Sequence, residues 1–207
     1  MESLVADLET FRGRRVLITG HTGFKGSWLS LWLQQHGAIV YGFALQPDSP
    51  KSHFSLLNLD QIIEHNVGDI RNEESLRQIF ARVKPEVVFH LAAQPLVKKS
   101  YDFPVETFDT NIIGSTHLLE CVRNSPSVKV CIFVTSDKCY LNREISIGYK
   151  EYDQLGGHDP YSASKAAAEI VFASYNFSFF NSNDQIGAAS VRAGNVIGGG
   201  DWSDNRI

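Results

Sequence analysis

Short apolar runs alternate along this chain with longer segments whose apolar residues recur at helical spacing. Six runs predict strands, at 15–19, 39–43, 62–67, 86–90, 128–135 and 188–192. Four segments predict helices, at about 26–36, 73–83, 105–123 and 161–180. Such alternation indicates a parallel sheet covered on both faces, and right-handed crossovers make it doubly wound. The expected fold class is therefore α/β, with ligands bound beyond the carboxyl ends of the strands.

Composition narrows the class of protein further. The 207 residues are 43% hydrophobic and 20% charged, which suits one domain over 1–207, with Trp28 and Trp32 in its core. The formal net charge of −4 gives no indication of a nucleic-acid or acidic-membrane partner. No apolar run is long enough to cross a bilayer. Three cysteines without metal spacing predict a cytoplasmic protein without a metal site.

A glycine-rich turn follows the first predicted strand, reading Gly-His-Thr-Gly-Phe-Lys-Gly at 20–26. One glycine permits a sharp turn, another permits close approach of a pyrophosphate, and the helix N-terminus offers unpaired N–H groups. We interpret the turn as a dinucleotide cradle rather than an ordinary loop. The residues expected to contact the cofactor are Gly20, Thr22, Gly23, Phe24, Lys25 and Gly26.

The acidic residue that commonly binds the ribose is absent from the second predicted strand. About twenty residues beyond the glycine turn, where that acid is expected, the chain reads Val-Tyr-Gly-Phe at 40–43. We favour NAD as the cofactor, but no acidic residue at this position selects NAD over NADP.

The run Tyr-Ser-Ala-Ser-Lys at 161–165 opens the last predicted helix, so Tyr161 and Lys165 lie one turn apart on one face. Bringing the pKa of a phenol from about 10 to about 7 requires roughly 4 kcal/mol of preferential phenolate stabilisation. A neighbouring ammonium and a nicotinamide cation supply it. We expect Tyr161 to remove a hydroxyl proton while hydride passes to the cofactor. Such pairs also occur by chance on helices, but this one follows a strand ending in Thr-Ser-Asp-Lys at 135–138.

Taken together, the motifs resemble the nucleotide-sugar 4,6-dehydratases of the extended short-chain dehydrogenase/reductase family, whose fold is a Rossmann fold. The similarity is strongest to the branch that acts on CDP-glucose. The most specific segments are Ser-Asp-Lys-Cys-Tyr at 136–140 and Gly-Gly-Gly-Asp-Trp at 198–202. Matching segments cover nearly the whole chain, at 20–26, 68–71, 89–97, 110–114, 135–140, 159–165 and 192–202.

The resemblance implies a reaction on one bound NAD: oxidation at C4 of the sugar, loss of water across C5 and C6, and return of hydride to C6. It implies that Tyr161 is the base, that Lys165 tunes it, and that Ser136 binds the C4 oxygen. Asp137 is implied as the acid that protonates the departing C6 hydroxyl. Lys138 replaces the glutamate of many dehydratases, which favours CDP-glucose as the substrate.

The same resemblance implies binding roles for residues at other strand ends. It implies cofactor contacts by Asp69, Ile70, Leu91, Ala92 and Ala93, and by the Tyr161–Lys165 pair itself. It implies substrate contacts by Gln94, Asn111 and Asn195.

Plain structural roles stay open for several of these residues. Asp69 also suits a helix N-cap or a turn, and Asn111 the start of a helix. Asp137 and Lys138 also suit a solvated ion pair in a loop. His90 at a strand end is interpreted as a structural histidine.

The family's smaller C-terminal substrate domain is expected to be largely absent from a chain that stops at Ile207. The chain is then part of a longer protein or a shortened form. Two other functions stay open: a sugar-nucleotide epimerase or oxidoreductase of the same fold, and a non-catalytic NAD-binding module.

The resemblance also predicts a homodimer through a four-helix interface formed by the helices at 105–123 and 161–180. Four apolar residues are candidates for that interface or for the internal core, namely Ile113, Leu118, Ile170 and Phe172.

Overall fold

The computed structural model describes residues 9–181 and 186–202, and a six-stranded parallel sheet forms its centre. The strands are Arg15–Thr19 (β1), Ile39–Ala44 (β2), Glu64–Val67 (β3), Val87–His90 (β4), Val130–Ser136 (β5) and Gly187–Ala193 (β6). Their order is β3-β2-β1-β4-β5-β6. This is the doubly wound order in which the chain reverses direction beside β1, and it confirms the predicted fold class.

Helices connect the strands and cover both faces of the sheet. They are Phe24–Gln35 (α1), His53–Leu56 (α2), Glu73–Val83 (α3), Val97–Asp102 (α4), Pro104–Phe108 (α5), Ser115–Arg123 (α6) and Pro160–Tyr175 (α7). Short 3-10 turns lie at Glu9–Phe11, Leu59–Gln61 and Asp137–Cys139. Within the described ranges, no helix is long and apolar enough to cross a bilayer.

Alternate residues of β1 enter two separate hydrophobic cores. Leu17 packs with residues of α3, α6 and α7, whereas Val16 and Ile18 pack with residues of α1 and α2. Since successive strand residues point to opposite faces, the two cores lie on opposite sides of the sheet. A strand buried on both faces must be apolar at every position, which explains the continuous run in the sequence.

Each of the two predicted long helices contains a π-helical turn. Residues 105–123 form α5, a π-turn at Asp109–Gly114 and α6, and residues 161–180 form α7 and a π-turn at Asn176–Phe180. The helix α4 at 97–102 was not predicted, and β3 begins two residues later than the apolar run. A π-turn keeps the helical direction but shifts the side chains that follow it, so a fixed helical period does not reveal it.

The prediction that Trp28 and Trp32 lie in the core is wrong. Their exposed fractions are 44% and 41%, whereas Gly26, Ser30 and Leu33 of the same helix are buried. A Cβ atom on Gly26 would lie 2.1 Å from the carbonyl oxygen of Gly20. The helix thus lies too close to the sheet for an indole to fit between them.

Buried histidines are a further feature of this fold. The His90 ring is hydrogen-bonded to Thr19 Oγ1 at 2.7 Å and to Ser115 Oγ at 2.9 Å, which confirms its structural role. Burial, with the charge of Lys165, lowers the pKa of His90 to about 3. Burial, with the neighbouring His65, lowers the pKa of His21 to about 3 as well. Both imidazoles are therefore neutral in the folded protein.

We expect the free energy of unfolding to fall between pH 7.5 and 5. The unfolded chain binds protons at histidine below pH 6.5 while folded His90 does not, so stability is present above that pH and lost below it. At pH 5 the loss from His90 is about 2 kcal/mol. Urea unfolding at the two pH values should show a loss smaller by about this amount in His90→Gln. The exposed-site variant His158→Gln is the control, and an unchanged loss in His90→Gln would contradict the prediction.

Candidate active site

The glycine turn lies at the carboxyl end of β1 and depends on two glycines for its shape. Gly20 has a φ of +75°, and a Cβ atom there would lie 2.6 Å from the backbone nitrogen of Ala92. Gly26 abuts the Gly20 carbonyl, as described above. Gly23 is different, since a Cβ atom there would approach only the Gly20 oxygen, at 3.4 Å. The space beside Gly23 is open.

The helix α1 begins at Phe24, two residues before the predicted start, with Gly23 as its N-cap. The N–H groups of its first turn have no partner within the helix and carry the positive end of the helix dipole. Thr22 Oγ1 donates to the carbonyl of Leu45 at 3.0 Å, which ties the turn to the end of β2. The glycine turn therefore offers N–H donors to an anion, and the bond between Thr22 and Leu45 fixes the position of the turn.

A cleft of about 470 Å³ opens beside this turn. It is lined by Phe24, Lys25, Trp28, Val196, Ile197 and Gly198. Trp28 Nε1 donates to the Gly199 carbonyl at 3.0 Å, so the tryptophan holds the segment after β6 against α1. The cleft thus lies between the predicted phosphate cradle and the segment that follows the last strand.

The segment after β4 adjoins the same turn. Leu91 N donates to the Thr19 carbonyl at 3.1 Å, and Ala92 lies against Gly20. The predicted cofactor contacts Leu91, Ala92 and Ala93 therefore lie beside the glycine turn. Their direct contact with a cofactor stays a prediction.

Asp69 lies after β3 and forms a turn. Its Oδ1 accepts from Arg71 N at 2.9 Å, and its Oδ2 pairs with Arg71 Nη2 at 2.6 Å. Burial alone would raise the pKa of Asp69, but the hydrogen bonds from Arg71 hold it below its ordinary value. The N-cap of α3 is Asn72, so the N-cap role considered for Asp69 is wrong and the turn role is confirmed. Ile70 is buried in the core, and adenine contacts by Asp69 and Ile70 stay predictions.

Gln94 and Asn111 form a buried network. Asn111 Oδ1 accepts from Gln94 N at 2.8 Å, and its Nδ2 donates to the Gln94 carbonyl and to Ser164 Oγ. The Gln94 side chain bonds Leu96 and Thr107. Asn111 lies in the π-turn, not at a helix start. The network ties the β4 loop to α7, whereas direct substrate contacts by the two residues stay predictions.

The end of β5 carries Ser136 and then the 3-10 turn with Asp137 and Lys138. Ser136 Oγ donates to Asp137 Oδ1 at 3.0 Å and accepts from Lys138 N at 3.2 Å. Lys138 Nζ lies 3.1 Å from Asp137 Oδ2, and both side chains are about half exposed. The two residues therefore form the ion pair considered from the sequence. Asn195 is exposed beyond β6, and the backbone of Gly194 lies beside Asp137.

Tyr161 and Lys165 lie one turn apart on α7 and are both buried. Lys165 Nζ is 5.9 Å from the centre of the Tyr161 ring. Burial and the charge of Lys25 lower the pKa of Lys165 to about 8, against the opposing effects of Cys139 and Glu169. The predicted shared face is confirmed, and α7 packs directly on the turn at Asp137–Cys139.

Sequence reasoning missed the buried Glu169 and the partly buried Arg192, which form an ion pair beside this turn. Arg192 Nη2 lies 2.8 Å from Glu169 Oε2. The signal was present, because Glu169 lies four residues beyond Lys165 and continues the stripe begun by Tyr161.

Comparison with known proteins agrees with this arrangement. Residues 17–182 match the family model described as GDP-mannose 4,6 dehydratase. The chain is 52% identical over 205 residues to a CDP-glucose 4,6-dehydratase of Salmonella typhimurium, covering 97% of this chain and 57% of the relative. It is 30% identical to a dTDP-D-glucose 4,6-dehydratase of Dictyostelium discoideum, covering 89% of this chain and 44% of the relative. The chain thus spans about half the length of these relatives.

Solved structures share the fold. An epimerase of Methanothermobacter thermautotrophicus superposes with a TM-score of 0.78 at 26% identity, covering 91% of this chain and 54% of the other. A Thermus thermophilus UDP-glucose 4-epimerase in complex with NAD gives 0.73 at 28% identity, covering 86% and 54%. The chain therefore belongs to the GDP-mannose 4,6 dehydratase family, within the extended short-chain dehydrogenases/reductases.

Proposed function

We propose that this chain carries the NAD-binding and catalytic residues of a CDP-glucose 4,6-dehydratase. The observation that carries the proposal is the packing of the Tyr161–Lys165 face against the turn that holds Asp137 and Lys138. Hydride transfer requires the first pair, and dehydration additionally requires an acid and a base. The 52% identity to a CDP-glucose 4,6-dehydratase supports the substrate.

The glycine turn fits a dinucleotide. Gly23 has open space where a side chain would block a phosphate, and the first turn of α1 offers N–H donors there. Lys25 adds positive charge to the cleft, and Phe24 and Trp28 add an aromatic wall. When bound, NAD would supply the hydride acceptor for C4 of the sugar and the hydride donor for C6. The Thermus thermophilus epimerase, which shares this fold, was solved in complex with NAD, and this supports the choice of cofactor.

The oxidation step is assigned to Tyr161. Its phenolate oxygen takes the proton of the C4 hydroxyl, and the Ser136 hydroxyl holds the C4 oxygen. Lys165, with a pKa of about 8, is mainly an ammonium at pH 7. Its charge, one helical turn away, favours the phenolate over the phenol.

The loss of water is assigned to the Asp137–Lys138 pair. Moving one proton along the 3.1 Å contact between Nζ and Oδ2 converts the ion pair into a carboxylic acid and an amine. The amine then takes the proton at C5, and the acid protonates the C6 hydroxyl, which leaves as water. The product state is the original ion pair, so the step balances within the two side chains.

An epimerase is the second candidate, because solved structures that share the fold are epimerases. An epimerase needs the Tyr161–Lys165 pair but no acid at position 137. The solvated Asp137–Lys138 contact would then be only structural. Loss of dehydration upon removal of that acid separates the two functions.

Asp137→Asn is expected to abolish formation of the base-labile 4-keto product from CDP-glucose. A general acid typically contributes at least about 100-fold to rate, so product formation should fall by at least that factor. Transient NADH formation, which uses Tyr161, should persist. The assay follows the 4-keto product and NADH. It uses this chain and any longer protein that its coding region encodes. The exposed variant Asp102→Asn is the control, and equal retention of both signals in Asp137→Asn would favour the epimerase.

Gly23→Ala is expected to weaken NAD binding at least tenfold with the fold intact. The added methyl group occupies the space left for a phosphate yet meets no backbone atom closer than 3.4 Å. Replacing a glycine N-cap with alanine should cost no more than about 1 kcal/mol of stability. Titration calorimetry with NAD and with NADP measures binding. Gly148→Ala, where no atom lies within 4 Å of the added carbon, is the control. Unchanged NAD affinity in Gly23→Ala would refute the cradle.

A homodimer is proposed through the exposed face of the 104–123 helical stretch and α7. Leu118 and Phe172 are excluded as interface residues because they are buried in the internal core. Ile113 and Ile170 are exposed by 47% and 59% on two elements that pack together. Exposed branched apolar side chains on adjacent helices favour burial against a second copy.

The double variant Ile113→Asp/Ile170→Asp should therefore be monomeric under conditions in which the unmodified chain is dimeric. Sedimentation equilibrium measures the mass. Ile147→Asp, on an exposed loop residue, places the same charge elsewhere and should leave the mass unchanged. A dimer that survives the double variant would place the interface on another surface.

The cytoplasm is the proposed location. Cys121, Cys131 and Cys139 are all free and buried. Burial raises the pKa of the Cys121 thiol to about 11, which makes it unreactive. Unpaired thiols are typical of a reducing compartment.

A further inference from the structure

Glu169 is a buried carboxylate that no step of the proposed reaction uses. It is only 2% exposed, and it lies on α7 one turn beyond Lys165. Its Oε1 accepts a hydrogen bond from Thr135, the residue directly before Ser136. Its Oε2 accepts from Ser190 Oγ at 3.0 Å on β6. One carboxylate therefore joins the catalytic helix to β5 and to β6.

Arg192 extends this network to the far side of the catalytic turn. Its Nη2 pairs with Glu169, and its Nη1 donates to Tyr140 Oη at 2.8 Å and to the Glu151 carbonyl at 3.2 Å. The guanidinium carbon also lies 4.9 Å from the centre of the Tyr140 ring. Tyr140 directly follows the 3-10 turn at Asp137–Cys139. The turn that carries Asp137 is thus held at both ends, by Thr135 before it and Tyr140 after it.

The charges of the pair favour its ionised form. Burial alone would raise the pKa of Glu169, but hydrogen bonds from Arg192, Thr135 and Ser190 hold it below its ordinary value. The hydrogen bond to Glu169 raises the pKa of Arg192. An ion pair with a buried carboxylate and this many hydrogen bonds orients its neighbours, because Glu169 without Arg192 would be an unpaired charge in the interior.

We propose that the Glu169–Arg192 pair positions the 136–140 segment against α7 and sets a fixed negative charge one helical turn from Lys165. Both are positioning residues that act through Thr135, Tyr140 and Lys165. The role of the pair in catalysis rests on the proposed function. Its effects on the position of residues 136–140 and on the charge near Lys165 do not.

Lys165 receives the electrostatic effect of the pair. Besides Glu169, titratable groups from four positions face it, namely Lys25, His90, Cys139 and Tyr161. Lys25 lowers the pKa of Lys165, and Cys139 and Glu169 raise it. Of the two residues of the pair, only Glu169 is among the groups that shift the pKa of Lys165, and its effect is smaller than those of burial, Lys25 and Cys139. Removing its charge should therefore weaken proton binding at Lys165.

The first test titrates Lys165 by NMR in the chain labelled with 13C at lysine Cε. Lys165→Arg identifies the signal, which should titrate with a midpoint near 8. In Glu169→Gln we expect the midpoint to fall by about 0.3 pH unit, a loss of about twofold in proton affinity. Glu120→Gln removes the same charge from the Arg123 ion pair elsewhere and should leave the midpoint unchanged.

The second test measures amide hydrogen exchange in the catalytic turn. Lys138 N donates to Ser136 Oγ and Tyr140 N to the Asp137 carbonyl, both at 3.2 Å. These amides should exchange about tenfold faster in Glu169→Gln. Tyr140→Phe removes the bond from Arg192 but no charge, so it should speed exchange without moving the Lys165 midpoint.

Glu169→Gln leaves the Arg192 charge unpaired and could prevent folding for that reason alone. The double variant Glu169→Gln/Arg192→Met removes both charges and retains side-chain volume. If the single variant does not fold, the double variant carries the same two expectations. A folded variant with an unchanged Lys165 midpoint, or with unchanged exchange at 138 and 140, overturns the proposal. Neither measurement uses nucleotide or sugar, so either result stands apart from the outcome of the dehydration assay.

Discussion

The close contact between the Gly20 carbonyl and Gly26 sets the shape of the glycine turn on which the proposed cofactor site depends. It brings α1 against the sheet, and the parallel contact of Gly20 with Ala92 brings the β4 loop to the same point. Neither contact leaves room for a side chain. The strands β1, β4 and β5 are neighbours in the sheet, so their carboxyl ends lie along one edge, together with the N-terminus of α1, which carries a partial positive charge.

The catalytic candidates are organised by a second constraint, the burial of one stripe of α7. Tyr161, Lys165 and Glu169 follow one another at intervals of one turn, and all three are buried. A buried ammonium or carboxylate requires either a partner of opposite charge or a pKa that is shifted towards its neutral form. Glu169 satisfies this requirement with Arg192, whereas Lys165 satisfies it partly by a pKa near 8. Lys165 therefore stays mainly an ammonium at pH 7 beside Tyr161, although its pKa is lowered to about 8.

Predictions from sequence succeeded where one local pattern had one structural outcome. The strand before Gly20, the helical face shared by Tyr161 and Lys165, and the ion pair considered for Asp137 and Lys138 were all anticipated. The two tryptophans of α1 were misplaced, because hydrophobicity does not report how close a helix approaches a sheet. Leu118 and Ile113 have similar apolar character, yet Leu118 is buried and Ile113 is 47% exposed, because residues five apart lie on different sides of a helix.

The sequence by itself determined the order of the elements and the chemistry offered at each strand end, since periodicity and glycine spacing are local properties. Only the tertiary structure decided which of these groups bond to one another. Asn111 and Gln94 are bonded to each other across 17 residues, and Glu169 joins Arg192 across 23. Such pairings depend on which strands are neighbours in the sheet. The spacing of residues along the chain does not reveal which strands will be neighbours.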